Sequence, residues 1–364
     1  MIKQVFSLIF LIVLLYVFIH LMEKSIHVED KNKRKINIHT FKNINIEIKQ
    51  TELFNERFHA GMNILLYGSQ DLSNAEQVFS TLKELGVNSV GLNFPLVQEH
   101  WQSNQIKISP SITPPFADLE AIIDMAHSFG FHVMLRPIID ESQLMKTGHW
   151  RGDIQPEDPQ IWFQNYRDIL ISYASLARRK QIEIFNIGTE LSSLQSQYRK
   201  EWESMIREIR NIYKGDLMYS FNWNTIHDIP NIEFVHMIDY VGIDAYFPLD
   251  VPNDASVEEL ESAWGKWVEE VKNVGIDKKI IITEAGIVPV EGAYRTPYVW
   301  EYNNQPYSPK TQENYYIATF NSWKPSIQGI YWWVVSLEED NIDINYSPFG
   351  LPTEEVIKKQ FKET

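Results

Sequence analysis

The sequence predicts an α/β protein: a single (β/α)8 TIM barrel behind an N-terminal apolar helix. Three observations predict it. Eight short apolar runs recur from residue 62 to residue 335, each long enough for one strand and too short for a helix. Segments with apolar residues at helical spacing separate most of them, the pattern of parallel β-α units. No Gly-x-Gly-x-x-Gly follows any run, so nothing supports the dinucleotide site of the competing arrangement, a doubly wound open sheet. Eight strands and about eight crossovers over roughly 290 residues suit one barrel better than two domains.

The expected strands begin with MNILLYG (62–68), NSVGLNF (88–94) and HVMLRPI (132–138). IEIFNIG (182–188) and DLMYSFN (216–222) follow. IDYVGIDAY (238–246), KIIITEAG (279–286) and GIYWWVV (329–335) complete the set. Helical faces are plain between them. Trp162, Tyr166, Ile169, Leu170, Tyr173 and Ala177 share one face; Tyr198, Trp202, Met205, Ile206, Ile209 and Tyr213 share another; Leu260, Trp264, Trp267, Val268 and Val271 form a third. These aromatics read as core. The crossover 224–237 is short, with only a weak helical pattern.

The N-terminus differs in kind. Residues 5–22, VFSLIFLIVLLYVFIHLM, carry no acidic or basic charge with His20 neutral. Eighteen residues at the helical rise span roughly 27 Å, just enough to cross a bilayer. No small-residue cleavage site follows, which favours an uncleaved signal anchor over a cleaved signal peptide. Lys24, Lys31, Lys33, Arg34 and Lys35 lie after the span and only Lys3 before it, which by charge alone would keep the domain inside. Large domains translocate despite such charge. The expectation is therefore a membrane-anchored, outward-facing domain, or a secreted one if 1–22 is removed. Residues 23–58 read as a charged stalk and a short hairpin, with Ile36, Ile38, Ile44, Ile46 and Ile48 alternating with polar residues. The barrel is assigned to 59–358.

Composition narrows the function. The 364 residues carry a formal net charge of −15, which argues against a nucleic-acid partner. There is no cysteine, hence no disulfide framework and no thiol nucleophile. The histidines show no ligand spacing, so no metal and no cofactor are expected. With 11 Trp and 17 Tyr the chain could build a large core or flat platforms for sugars.

Barrel enzymes place their chemistry at the C-terminal ends of the strands. There the sequence delivers Asn93 and Phe94; Arg136, Asp140 and Glu141; Thr189 and Glu190; Asn222 and Trp223; Asp244, Tyr246 and Phe247; Thr283 and Glu284; and Trp332 and Trp333. Two glutamates, Glu190 and Glu284, each end an apolar run. One such Glu alone would read as the first solvated residue after a strand, or as the partner of an Arg. Two in one mouth suit retaining glycoside hydrolysis, where carboxyl groups about 5–5.5 Å apart serve as acid and nucleophile. Mutual repulsion would also push their pKa values apart.

Seven segments carry a family resemblance: LRPIID (135–140), HWRGDI (149–154), FNIGTEL (185–191), YVGIDAYFPL (240–249), IIITEAG (280–286), GIYWWVV (329–335) and YSPFGLP (346–352). Each is weak alone; their order and spacing are specific. From Gly61 to about residue 358 the chain resembles glycoside hydrolase family 113, the β-mannanase family of the large clan of (β/α)8 retaining glycosidases. The resemblance implies Glu190 as acid/base and Glu284 as nucleophile. It implies a hydrogen bond from Tyr246 to the nucleophile, and a strand-8 Trp flooring the reactive subsite. Alternation along the strand sends one of Trp332 and Trp333 into the mouth; Trp332 is favoured. Most of the clan has Asn-Glu where this chain has Thr189-Glu190, and that Asn binds the sugar 2-hydroxyl. Asn93, Asn222 and Arg136 are the candidates to replace it.

Arg136 could orient the nucleophile or form a structural ion pair. Trp150, beside Arg151, is a subsite platform or loop packing. Trp223 is a substrate contact candidate. Tyr294, Tyr298, Trp300, Tyr302 and Tyr307 crowd the loop 287–310, as glycan-stacking residues or as a self-packed lid. The expected partner is a polysaccharide or oligosaccharide, most simply β-1,4-mannan. Xylan or another β-glucan remains an alternative, as does a catalytically idle glycan-binding surface protein.

Overall fold

The computed structural model describes residues 57–302, 304–337 and 345–364. The expected membrane segment 5–22 lies outside them, as do residues 23–56 of the expected stalk and hairpin. Among the described residues no helix is long and apolar enough to cross a membrane.

Eight parallel strands close into one barrel in sequence order. They are β1 (His59–Leu65), β2 (Ser89–Leu96), β3 (His132–Ile139), β4 (Ile184–Thr189), β5 (Asp216–Asn222), β6 (Tyr240–Asp244), β7 (Lys279–Ala285) and β8 (Gly329–Ser336). β1 pairs with both β2 and β8, so no edge is left. The helices outside are α1 (Ala75–Glu84), α2 (Phe116–Ser128), α3 (Pro159–Arg179), α4 (Arg199–Ile212), α5 (Val257–Val274), α6 (Pro309–Trp323) and α7 (Pro352–Lys362). Local chemistry fixes their ends. Asp158 caps α3 by accepting from the Gln160 and Ile161 amides, with Pro159 at the first helical position. Ser256 and Glu259 form a reciprocal capping box on α5, which stops at Gly275 with φ +76°. The β5–β6 crossover is made of two short 3-10 segments, Trp223–Asn231 and Glu233–Met237, in keeping with its weak helical pattern. β1 starts at His59, earlier than the apolar run at 62–68 suggested, because Gly61 and Ala60 pair in the ladder without adding an apolar signal.

The helix faces expected to be core are core. Trp162, Trp202 and Trp264 are fully buried on α3, α4 and α5. The barrel interior is layered. One apolar side chain from each of β3 to β8 (Met134, Ile184, Met218, Tyr240, Ile281 and Tyr331) forms a buried cluster near the strand starts. Above it the interior turns polar. Asn63 on β1 donates to the Thr283 carbonyl on β7 at 2.9 Å, and Asn93 on β2 donates to Asn63 Oδ1 at 2.9 Å. Buried amides persist only when paired in this way.

Ladder shifts fall where the chain enters the mouth. The β4–β5 register slips between Asn186 and Thr189, and the β6–β7 register slips between Ile243 and Asp244. Such irregularities re-aim side chains at barrel rims, and these immediately precede Glu190 and Glu284. Gly91 on β2 leaves room for the Asn63 amide: a Cβ there would overlap Asn63 Oδ1 and lie 2.9 Å from Met134 Cε. Gly91→Ala should therefore cost about 1–3 kcal/mol, read as a lowered urea midpoint; a wild-type midpoint would refute the packing argument.

Candidate active site

Glu284 ends β7 inside the polar layer. Its Oε1 accepts from Arg136 Nη1 at 2.5 Å and its Oε2 accepts from the Tyr246 hydroxyl at 2.8 Å. Arg136 reaches there from β3 across the interior. Its Nη2 donates to both oxygens of Asp244, at 2.9 and 2.8 Å, and its Nη1 also meets Asn93 Oδ1 at 3.1 Å. Thr283 Oγ1 donates to Asp244 at 2.7 Å. Burial and the adjacent Glu284 carboxylate hold the Tyr246 proton in place, raising its pKa well above the usual phenol range. Two donors thus face Glu284, one on each carboxylate oxygen.

Glu190 stands just past β4 with a different shell. Its Oε1 accepts from Asn222 Nδ2 at 2.6 Å and its Oε2 from Arg151 Nη1 at 2.8 Å. Burial pushes its pKa up to about 7; Glu284 and Glu141 add to the rise, and Arg151 and Arg136 oppose it. Its backbone is left-handed, with φ +53°, a conformation costly for a non-glycine residue and concentrated at functional sites. The Glu190 amide donates to the Ser220 carbonyl and the Ser192 amide to the Glu190 carbonyl, both at 2.8 Å, and these bonds hold the turn.

One cavity of about 540 Å³ joins the two carboxylates. Among its walls are Trp150, Asn222, Trp223, Tyr246 and Trp333. Trp223 lies near-parallel to Tyr298, with ring centroids 6.4 Å apart. A second basin of about 550 Å³, bounded by Tyr67, Asp140 and β8, shares Trp333, Trp300, Arg151 and Glu141 with the first. A cavity of this size, apolar walled with a few convergent polar groups, suits a ligand of several rings.

Three expected contacts are corrected. Trp332 is fully buried and stacks on Tyr316 at 4.0 Å between centroids; Trp333 is the strand-8 tryptophan at the mouth. Asn93 and Arg136 are fully buried below the floor and line neither basin. Arg136 donates to Glu284, and Asn93 accepts from Arg136. Thr189 is likewise buried. Of the residues considered for the 2-hydroxyl, Asn222 lines the cavity.

Sequence reasoning left several roles unassigned. Asp244 is the anchor of Arg136. Arg151 touches Glu190. Tyr346, from the YSPFGLP segment, closes the cavity, and Tyr298 and Trp300 face it from the long loop after β7. Their aromatic crowding was visible; which of the five turned inward depended on packing. The backbone strain at Glu190 gives a direct test. Glu190→Gly should be more stable than Glu190→Ala by about 1–2 kcal/mol, since only glycine relieves the left-handed turn; equal urea midpoints would exclude that strain.

The comparisons with known proteins bear on the family and the fold. The sequence profile described as Glycoside Hydrolase Family 113 matches residues 66–343. A family 113 β-mannanase from Alicyclobacillus acidocaldarius, solved in complex with ManMIm, is 23% identical with a TM-score of 0.73, covering 84% of this chain and 98% of its own. A second family 113 β-1,4-mannanase structure is 20% identical with a TM-score of 0.74, covering 85% of this chain and 100% of its own. A β-D-glucuronidase from Dictyoglomus thermophilum is 12% identical, with a TM-score of 0.61 over 85% of this chain and 51% of its own. At these identities the structures support the shared barrel alone. The search of curated proteins gave no match. With the profile spanning most of the barrel, the chain belongs to glycoside hydrolase family 113, and the protein is a glycosidase.

Proposed function

We propose that the protein hydrolyses β-1,4-linked mannan with retention of configuration, through a covalent glycosyl–Glu284 intermediate. The observation that carries this reading is the contrast between two glutamates in one aromatic cavity. Glu284 is braced by Arg136 and Tyr246, as a nucleophile must be. Glu190 is pushed up to about 7, where it can hold a proton and release it near neutral pH. In the first step Glu284 attacks the anomeric carbon while Glu190 protonates the departing oxygen. In the second, water attacks the same carbon, gives its proton to Glu190 and frees Glu284.

The substrate assignment draws on the β-mannanases named above and on charge. Arg151 is the one Lys or Arg among the described residues lining the catalytic cavity, and it already meets Glu190 and Glu141. That leaves no free cation for a uronate, which supports a neutral sugar. Trp333 offers the floor, Trp223 with Tyr298 the wall, and Asn222 a partner for the 2-hydroxyl. The apolar run 5–22 supports a tether holding the domain outside the cell, where such a polymer would be met.

A panel of mannan, xylan and β-glucan read by reducing ends tests the backbone; xylan or glucan turnover without mannan turnover would reassign it. Glu284→Ala should lose roughly 10³-fold or more in kcat, with azide restoring turnover and giving an inverted product. Retained activity would remove Glu284 as nucleophile; mannan bound by the unaltered protein without turnover would instead favour the glycan-binding alternative. Glu190→Ala should harm poor leaving groups far more than activated aryl glycosides. Because the first step needs Glu190 protonated, kcat/KM should fall as pH rises through about 7; a profile flat to pH 9 would contradict the acid role.

A further inference from the structure

Arg151 stands between two carboxylates. Nη1 donates to Glu190 Oε2 at 2.8 Å, Nη2 lies 3.3 Å from Glu141 Oε1, and Nε donates to the Ile139 carbonyl at 3.0 Å. The guanidinium is thus held on three sides, at the septum shared by the two basins. Its seat is specific: Arg151 opens a short 3-10 turn, Arg151–Asp153, and the Trp150 ring packs so closely on Gly152 that a Cβ there would overlap it. Double displacement by itself requires only Glu190 and Glu284, so this pair is unexplained by the chemistry described so far.

The reaction makes Glu190 alternate. Its proton goes to the glycosidic oxygen as the C–O bond breaks and the Glu284–carbon bond forms. The proton returns from water as the water oxygen bonds that carbon and Glu284 departs. A guanidinium at 2.8 Å favours only the ionised form. A carboxylate on the far side of that guanidinium weakens the preference. We propose that Arg151 and Glu141 are positioning residues with opposed pulls on the Glu190 proton: Arg151 holds the carboxylate left after the leaving oxygen is protonated, and Glu141 keeps that hold loose enough for the proton to return.

The other groups facing Glu190 come from four strands. Arg136 on β3, Asp244 just ahead of Tyr246 on the β6 side and Glu284 on β7 are occupied largely with one another. Tyr246 donates to Glu284, and Asn222 on β5 is neutral. Asp140, at the end of β3, accepts from Tyr67. Arg151 and Glu141 therefore form the charged pair that meets Glu190 from outside the Arg136 network.

This inference rests on Glu190 being the acid/base, and the test separates the two. The full-length enzyme is assayed for kcat/KM against pH on an activated aryl β-mannoside and on a mannooligosaccharide. Arg151→Met should move the alkaline limb up by about one pH unit, and Glu141→Gln should move it down. Arg151→Lys should keep the limb near its wild-type position while lowering kcat. Unmoved limbs, or shifts of the same sign in Arg151→Met and Glu141→Gln, overturn the proposal. If Arg151→Met fails to fold by circular dichroism, the downward shift in Glu141→Gln decides. Glu190→Ala is the control: loss of its alkaline limb on the aryl mannoside upholds the acid reading, and a limb that persists overturns that reading and the proposal with it.

Discussion

The Arg136 guanidinium is the interaction on which the rest of the mouth depends. It is fully buried, crosses the barrel from β3, and is shared by Asp244 on β6 and Glu284 on β7. A buried ion costs several kcal/mol unless paired and hydrogen-bonded, so each partner here requires the others. Thr283 donates to Asp244, Asn93 accepts from Arg136, and Asn63 accepts from Asn93 and ties β1 to β7. The network replaces the apolar filling used near the strand starts. It fixes Glu284 in orientation before any ligand arrives, which is how a preorganised site avoids reorganisation during reaction.

The two glutamates show how position alone separates chemical environments. Both are nearly buried in one cavity. Glu284 is rigidly held by an arginine whose charge is shared with Asp244. Glu190 sits on a strained left-handed turn at the rim, bonded to an amide and to an arginine on a loop. The strain persists because the β4–β5 ladder and the turn after it hold the Glu190 backbone on both sides. Its carboxylate is displaced from the line of β4 and aimed into the cavity, with loop residues within reach.

Aromatic residues divide between two tasks. Trp162, Trp202, Trp264 and Trp323 fill the space between helices and barrel. Trp223, Trp333, Trp300 and Tyr298 face the cavity, and Trp300 and Tyr298 stay roughly half exposed. Exposed flat rings at a cavity rim are costly to leave in water and well suited to the apolar faces of sugar rings. The tryptophan-rich composition therefore reflects both a large core and an aromatic cavity wall.

Much of the barrel was legible in the sequence, because strand and helix periodicities are local. DLMYSFN became β5 without a residue's change, and the weak 224–237 crossover became 3-10 turns. The two carboxylates and Tyr246 were legible too, since an apolar run ending in Glu marks a strand leaving the barrel. What the sequence could not determine was facing and reach. Trp332 and Trp333 are adjacent, and because Tyr331 turns into the barrel, alternation along β8 sends Trp332 towards Tyr316 and Trp333 to the cavity. Asn93 and Arg136 look like mouth residues by position, yet both side chains turn inward: Arg136 pairs with carboxylates more than a hundred residues away, and Asn93 bonds Arg136. Arg151 lies 39 residues from Glu190, and only the folding of the β3–α3 loop over the mouth brings them together. Periodicity is written in neighbouring residues, and so the sequence determined the barrel and its glutamates; pairing across the barrel depends on closure of all eight strands, and so the tertiary structure decided which side chains serve the site from below and which face the substrate.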